Sequence, residues 1–256
     1  MAPVYADHPF PPIPTPIFLA KDKDAKPDMF DEMASEMALV HNLIILGINS
    51  IYLQAPHIMP ADEKSFCKYI TCWYAVVDGH HAGEEAMFFP SVERMTGIKG
   101  IMDTNKDQHK AFHDGMDKLK AYADAVLAGK EKYEGSKVVG LIDDFGAVLT
   151  QHLADEVPTI LSLRQYGDKM ADLPKVLSEE GAKAMKDIGT PGMVFAFANL
   201  NVHYENDMWL GFPHAPAPVK VLMRSVFWWM YADSRKFGAV DRTGKLRHLY
   251  AVPESS

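Results

Sequence analysis

His80-His81-Ala82-Gly83-Glu84-Glu85-Ala86-Met87-Phe88-Phe89-Pro90 is the stretch that decides the fold. It sets a histidine four residues before a glutamate twice in succession. On an α-helix, positions i and i+4 lie on one face about a turn apart, so two such side chains can reach one metal ion. Phe66, Ile70, Trp73 and Val77 precede His80 at three- and four-residue steps. This periodicity predicts one helix from about Asp62, a candidate N-cap, to Met95, kinked or ended at Pro90.

The same period appears three more times. Met33, Met37, Val40, His41, Ile44, Ile48 and Ile51 predict a helix from about Met29 to Tyr52, ended by Pro56 and Pro60. His109, Phe112, His113, Met116, Leu119, Ala123 and Val126 predict one from about Asp103 to Leu127, with Gly129 as the stop. Ile142, Phe145, Leu149, His152, Glu156 and Ile160 predict one from about Ser136 to Gln165, loosened at Pro158. Long helices with short connections become antiparallel neighbours, so the fold expected is all-α, an up-and-down four-helix bundle over residues 29–165. Residues 1–28 hold seven prolines and read as an extended arm. Residues 166–256 carry three of the four tryptophans and predict helices near 178–188, 192–204 and 217–231. That much apolar surface requires the extension to pack on the bundle.

Composition narrows the function classes. The chain has 256 residues, 48% of them hydrophobic and 23% charged, with a formal net charge of −8. No basic stripe suits nucleic acid. No run of 18 apolar residues suits a membrane span, and no secretory leader is recognised. Cys67 and Cys72 are read as reduced thiols in a reducing, cytoplasmic compartment.

Histidine is the unusual component, with 11 copies. Three His-x-x-x-Glu spacings and one His-x-x-x-His occur, at His80/Glu84, His81/Glu85, His152/Glu156 and His109/His113. Chance predicts roughly 0.6 of the first kind in a chain of this composition. One pair falls on the inward stripe of each of three helices, and His41 on that of the fourth. Buried without partners, such groups cost several kcal/mol each, and a bound metal compensates them. His80/Glu84 is preferred to His81/Glu85 because it continues the stripe of Ile70, Trp73 and Val77. His8, His57, His203, His214 and His248 fall outside the pattern and are read as surface or loop residues.

The order His, His-x-x-x-Glu, His-x-x-x-His, His-x-x-x-Glu over four helices resembles the hemerythrin-like, or HHE cation-binding, family. Residues 80–90 are similar to its HHxxEExxxFP signature, and the extension resembles those of fungal members. The resemblance implies a metal set of His41, His80, Glu84, His109, His113, His152 and Glu156, with Glu84 and Glu156 as bridges between two ions, most simply iron. His109 is alternatively a group that orients a ligand. Five imidazoles to two carboxylates donate weakly to high-valent iron. That favours oxygen binding, redox sensing or iron handling over demanding hydroxylation. The alternatives are an enzyme using the same pocket, either an isomerase or cyclase working by His/Glu acid–base chemistry on a small aromatic molecule, or a metal-dependent oxidase. The expected partner is thus dioxygen or a small-molecule ligand.

Overall fold

The structure, a computed structural model, describes residues 3–20 and 26–253; residues 1–2 and 21–25 of the predicted arm, and 254–256, lie outside the described residues. After a short turn of helix, α1 (Pro16–Leu19), the first long helix is α2 (Met29–Gln54). Asp28 caps it: its carboxylate accepts from the amides of Phe30 and Asp31, and the Asp31 carboxylate accepts from the Asp28 amide. This reciprocal pairing satisfies amides that have no partner in a first helical turn. Arg164, just past the end of the fourth helix, clamps both carboxylates.

The second helix, α3 (Glu63–Gly83), does not end at Pro90. It widens into one π-turn, Glu84–Phe88, and continues as α4 (Phe89–Thr96). Proline has no amide proton and its ring crowds the carbonyl four residues back; a wider turn accommodates both. Asp62 makes no side-chain cap on α3. Its carboxylate is taken by Lys236 (2.6 Å) and Tyr250 (3.1 Å) of the extension. The third helix, α5 (Asp103–Leu127), has the predicted bounds. The fourth is broken into α6 (Gly135–Asp143) and α7 (Gly146–Ser162). At the break the Phe145 ring enters a notch at Gly115, where a Cβ would overlap it. Helix α7 runs through Pro158 and tightens into 3-10 turns over Leu163–Met170.

Each long helix packs on two others: α2 on α3 and α7, and α5 on α3 and α7. This is the ring of an up-and-down four-helix bundle. By length and composition α2 is apolar enough to cross a membrane, but 78% of its most apolar window is buried inside the fold. Burial on nearly every face arises because other segments cover its back. On that face Asn42 exchanges two hydrogen bonds with the Ile13 backbone (2.6 and 2.9 Å). Seven residues on, Asn49 binds the backbone of Ala6 and Phe10. The arm thus lies along α2, fastened by two amide side chains.

The extension begins with α8 (Leu173–Asp187) and α9 (Gly189–Asn199). Phe195, Leu200, Val202, Phe212 and Phe237 join the same apolar core as the bundle. Asn199 fastens it: its carbonyl oxygen accepts from Tyr69 Oη (2.8 Å) and the Ala239 amide (3.1 Å). A second apolar helix, Ala217–Leu222, passes through a π-turn at Met223–Phe227 into Trp228–Met230. Trp228 is buried against Arg235, and Trp229 is 66% exposed. No named strand occurs among the described residues; Val240 and Leu246 form an isolated antiparallel bridge.

Three consecutive residues, Glu205, Asn206 and Asp207, have φ of 54°, 60° and 67°. Non-glycine residues occupy this region at a cost, and surrounding contacts must hold them there. The Glu205 carboxylate supplies these contacts. It accepts from the Thr15 amide (2.8 Å), the Thr15 hydroxyl (2.5 Å) and Trp209 Nε1 (2.8 Å). Glu205→Ala removes all three and is expected to lower the unfolding free energy by about 1.5–3 kcal/mol. Urea denaturation measures that loss, and faster proteolysis of the arm reports its release.

Candidate metal centre

Seven side chains from the four bundle helices meet at one level of the core. They form two groups whose donor atoms lie within 4.8 Å of one another: His41, His80, Glu84 and Glu156, and His81, Glu84, His109 and His152. Glu84 belongs to both. Helix geometry explains why. At about 100° per residue, His81 stands 100° round α3 from His80, and Glu84 falls about 40° past His80 and about 60° short of His81. Each histidine therefore serves one group, and the glutamate between them reaches both.

The sequence reading and the structure differ at three positions. Glu156, expected as a second bridge, lies in the first group only. His113, expected in the centre, is about half-exposed at the bundle surface, 3.4 Å from both Asp78 and Asp117. The buried stripe of α5 runs from His109 through Phe112 and Met116, and Phe112 takes the inward place. His81, set aside in favour of His80, is buried in the second group, its ring 4.4 Å from that of His109. Both members of the His80-His81 pair enter the core. Glu85 stays at the rim and binds His109. His41, His80, Glu84, His109, His152 and Glu156 lie where the inward stripes put them. His57 and His214 are exposed; His8 and His203 bind Asp7 and Asp207 nearby in sequence, and His248 accepts from the distant Val4 amide and donates to the Val252 carbonyl.

Three imidazoles are held from behind. His41 Nδ1 donates to the Leu153 carbonyl (2.7 Å), His109 Nδ1 to Glu85 Oε1 (2.8 Å) and His152 Nδ1 to Gln108 Oε1 (3.0 Å). Each outer bond places the proton on Nδ1 and leaves the Nε2 lone pair facing inward, the tautomer a metal needs. The inward nitrogens then crowd: His41 Nε2 to His80 Nε2 is 3.0 Å, and His109 Nε2 to His152 Nε2 is 3.1 Å. Two ligands at about 2.1 Å from one ion, at right angles, stand about 3.0 Å apart. Both oxygens of Glu84, both of Glu156 and both ring nitrogens of His81 are buried with no hydrogen-bonding partner. Phe89 and Phe112 wall the His109 side. Such orphaned donors are costly unless a cation takes them. The residues present therefore fit a pair of metal ions.

The electrostatics follow from burial. Burial, reinforced by neighbouring imidazoles, pulls His80 down to about 3; burial pulls His152 down to about 4. His81 and His109 are also lowered by burial. Burial and then the Glu156 charge push Glu84 well up. Burial would raise Glu156 too, but the imidazoles around it, His41 at 3.4 Å first and then His152 and His80, hold it at about 2.

These shifts fix the pH response of metal-free protein. Between about pH 4.5 and 6.5 the unfolded chain protonates the imidazoles of His80, His81 and His152, which the fold keeps neutral, and the lowering of His109 acts in the same direction. Over the same range the fold keeps protons on Glu84 and on Glu180, which is raised to about 7. The unfolded state therefore binds at least one more proton, and stability rises with pH by roughly 1.4 kcal/mol per unit or more. Above pH 7 the sign reverses, because the unfolded imidazoles are then neutral too while the fold still holds a proton on Glu84. The melting temperature of chelator-treated protein is expected to peak near pH 6.5–7.

Residues 33–161 match the hemerythrin HHE cation-binding domain, and the chain belongs to that family. Along nearly its whole length it is also similar to a protein named "Dimeric xanthone biosynthesis cluster protein R11" from Cryptosporiopsis sp. (strain 8999). The two are 32% identical over 248 residues, covering 96% of this chain and 92% of that one. No solved structure matches the chain.

The departure at α5 gives a direct test. His81→Ala is expected to lose about half of the bound metal by elemental analysis, and His113→Ala to lose none. Equal loss in the two variants would contradict the grouping.

Proposed function

We propose that this protein holds two iron ions in the bundle and uses them on a small aromatic molecule. The observation that carries the reading is the pair of four-donor groups joined by Glu84. His41, His80 and Glu156 would hold one ion, His81, His109 and His152 the other, and Glu84 would bridge them. Iron bound there supplies Lewis acidity and one-electron redox capacity to an oxygen-bearing ligand. The protein's own contribution is to fix the imidazole tautomers through Leu153, Glu85 and Gln108, and to exclude water with Phe89 and Phe112.

The aromatic ligand is inferred from the relative, whose name assigns it to a biosynthesis cluster for dimeric xanthones. That likeness spans the extension as well as the bundle, which favours a role the extension shares. A second reading, reversible dioxygen binding, is favoured by the donor set of five imidazoles to two carboxylates.

Protein expressed with added iron is expected to carry close to two ions per chain, and a value near zero overturns both readings. A hydroxylated xanthone added to the ferric protein is expected to produce a phenolate-to-iron charge-transfer band. No change with the xanthone, together with a band that comes and goes with oxygen alone, selects the second reading.

A further inference from the structure

The C-terminal extension carries one buried carboxylate that the seven donors leave unexplained. Glu180, on α8, is 4% exposed, and its Oε1 has no hydrogen-bonding partner. Helix α8 packs on α3 and on the π-turn that begins at Glu84. The approach depends on two glycines one turn apart on α3. Ile188 lies against Gly79, and the Glu180 carboxylate lies against Gly83, where a Cβ would overlap Oε1. Gly83 directly precedes Glu84. By helix geometry it stands about 60° from His80, on the side away from His81. Glu180 therefore flanks the group of His41, His80, Glu84 and Glu156.

A third carboxylate here is unfavourable in the absence of cations. Burial raises Glu180, the Glu156 charge raises it further, and its own charge helps to raise Glu84. Its neighbour Lys183 is paired with Asp187 at 2.6 Å. The balance changes with metal. Two divalent ions bring four positive charges to a buried site, and Glu84 and Glu156 return only two.

We propose that Glu180 is the third carboxylate of the metal centre, supplied by the extension and set outside the ligand groups, where it offsets the excess positive charge of the ion on the His41–His80 side. This rests on the two-metal reading above. Glu180 is outside both groups of converging oxygens and nitrogens, so it acts through the field at short range and low dielectric rather than by ligation. It makes the extension part of the centre: a bundle without α8 lacks this charge.

The test is a cycle of metal and mutation, with Co²⁺ as the probe on full-length protein. Glu180→Gln keeps the shape and removes the charge; Glu180→Leu also removes the polarity. In metal-free protein both variants are expected to melt at the same temperature as the parent or higher, because an unpartnered carboxylate has gone. In Co²⁺-loaded protein both are expected to melt lower. Co²⁺ affinity should fall ten- to a hundredfold in Glu180→Gln with the stoichiometry still two. The exposed neighbour variant Glu179→Gln should change affinity less than twofold. A merely structural Glu180 shifts melting equally with and without Co²⁺, and that result overturns the proposal. So does an affinity loss in Glu179→Gln as large as in Glu180→Gln. Wild-type protein that takes up no Co²⁺ overturns the two-metal reading together with this one, whereas wild-type uptake with unchanged affinity in Glu180→Gln overturns this one alone.

Discussion

Seven polar side chains are buried at one level of a helical core, and this constraint shapes the rest of the molecule. The buried polar atoms of Glu84, Glu156 and His81 have no hydrogen-bonding partners there, so without a cation the core carries groups that each cost several kcal/mol. The surrounding contacts keep them from escaping. Leu153, Gln108 and Glu85 grip three imidazoles from outside, and the bundle leaves Glu84 and Glu156 no exposed surface. The fold thus holds its donors in a costly arrangement, and a bound cation converts that cost into affinity.

Holding the donors still requires a rigid α2, since His41 has no near neighbour in sequence to share its task. The helix obtains that rigidity by being enclosed. The arm lies along one side through Asn42 and Asn49. From the extension, the Phe237 carbonyl accepts from Ser50 and Gln54, and the Phe195 ring rests on Gly47. A side chain at position 47 would overlap both Phe195 and Trp73. The segments outside the family's bundle therefore complete the burial of the helix that carries the lone histidine.

The four helices were legible because their apolar residues repeat at helical spacing, and that repeat does not depend on partners. Six of the donors were legible for the same reason. The remainder depended on contacts between distant segments, which periodicity does not encode. His113 sits four residues after His109 and satisfies the spacing, yet Phe112 occupies the inward place. His81 sits off the stripe of Trp73 and Val77, yet the centre is wide enough to use two faces of α3. The break between α6 and α7 follows from a ring filling a glycine notch on another helix. Asp62 carries the residue type of a cap and is claimed by Lys236 and Tyr250 instead. Glu180 had no signal of its own in sequence. The only trace was Gly79 and Gly83 at one-turn spacing, a groove whose occupant is visible only in three dimensions.

The two donor groups are not equivalent. One joins two imidazoles to Glu84 and Glu156, with Glu180 close by; the other joins three imidazoles to Glu84 alone. Carboxylates favour harder cations and imidazoles favour borderline ones, so the two positions differ in what they hold most tightly. They also differ in charge. The first position faces two carboxylates and a third beyond them, so an ion there would be the better neutralised. The second has one shared carboxylate and, beyond His109, only the half-exposed and water-screened Glu85, and it is walled by Phe89 and Phe112, so an ion there would be less well neutralised. With both positions filled, an anionic oxygen entering the centre would be drawn more strongly to the His81–His109–His152 side. That bias follows from the 100° offset between His80 and His81, since the offset is what separates the carboxylate-rich side of the centre from the imidazole-rich one.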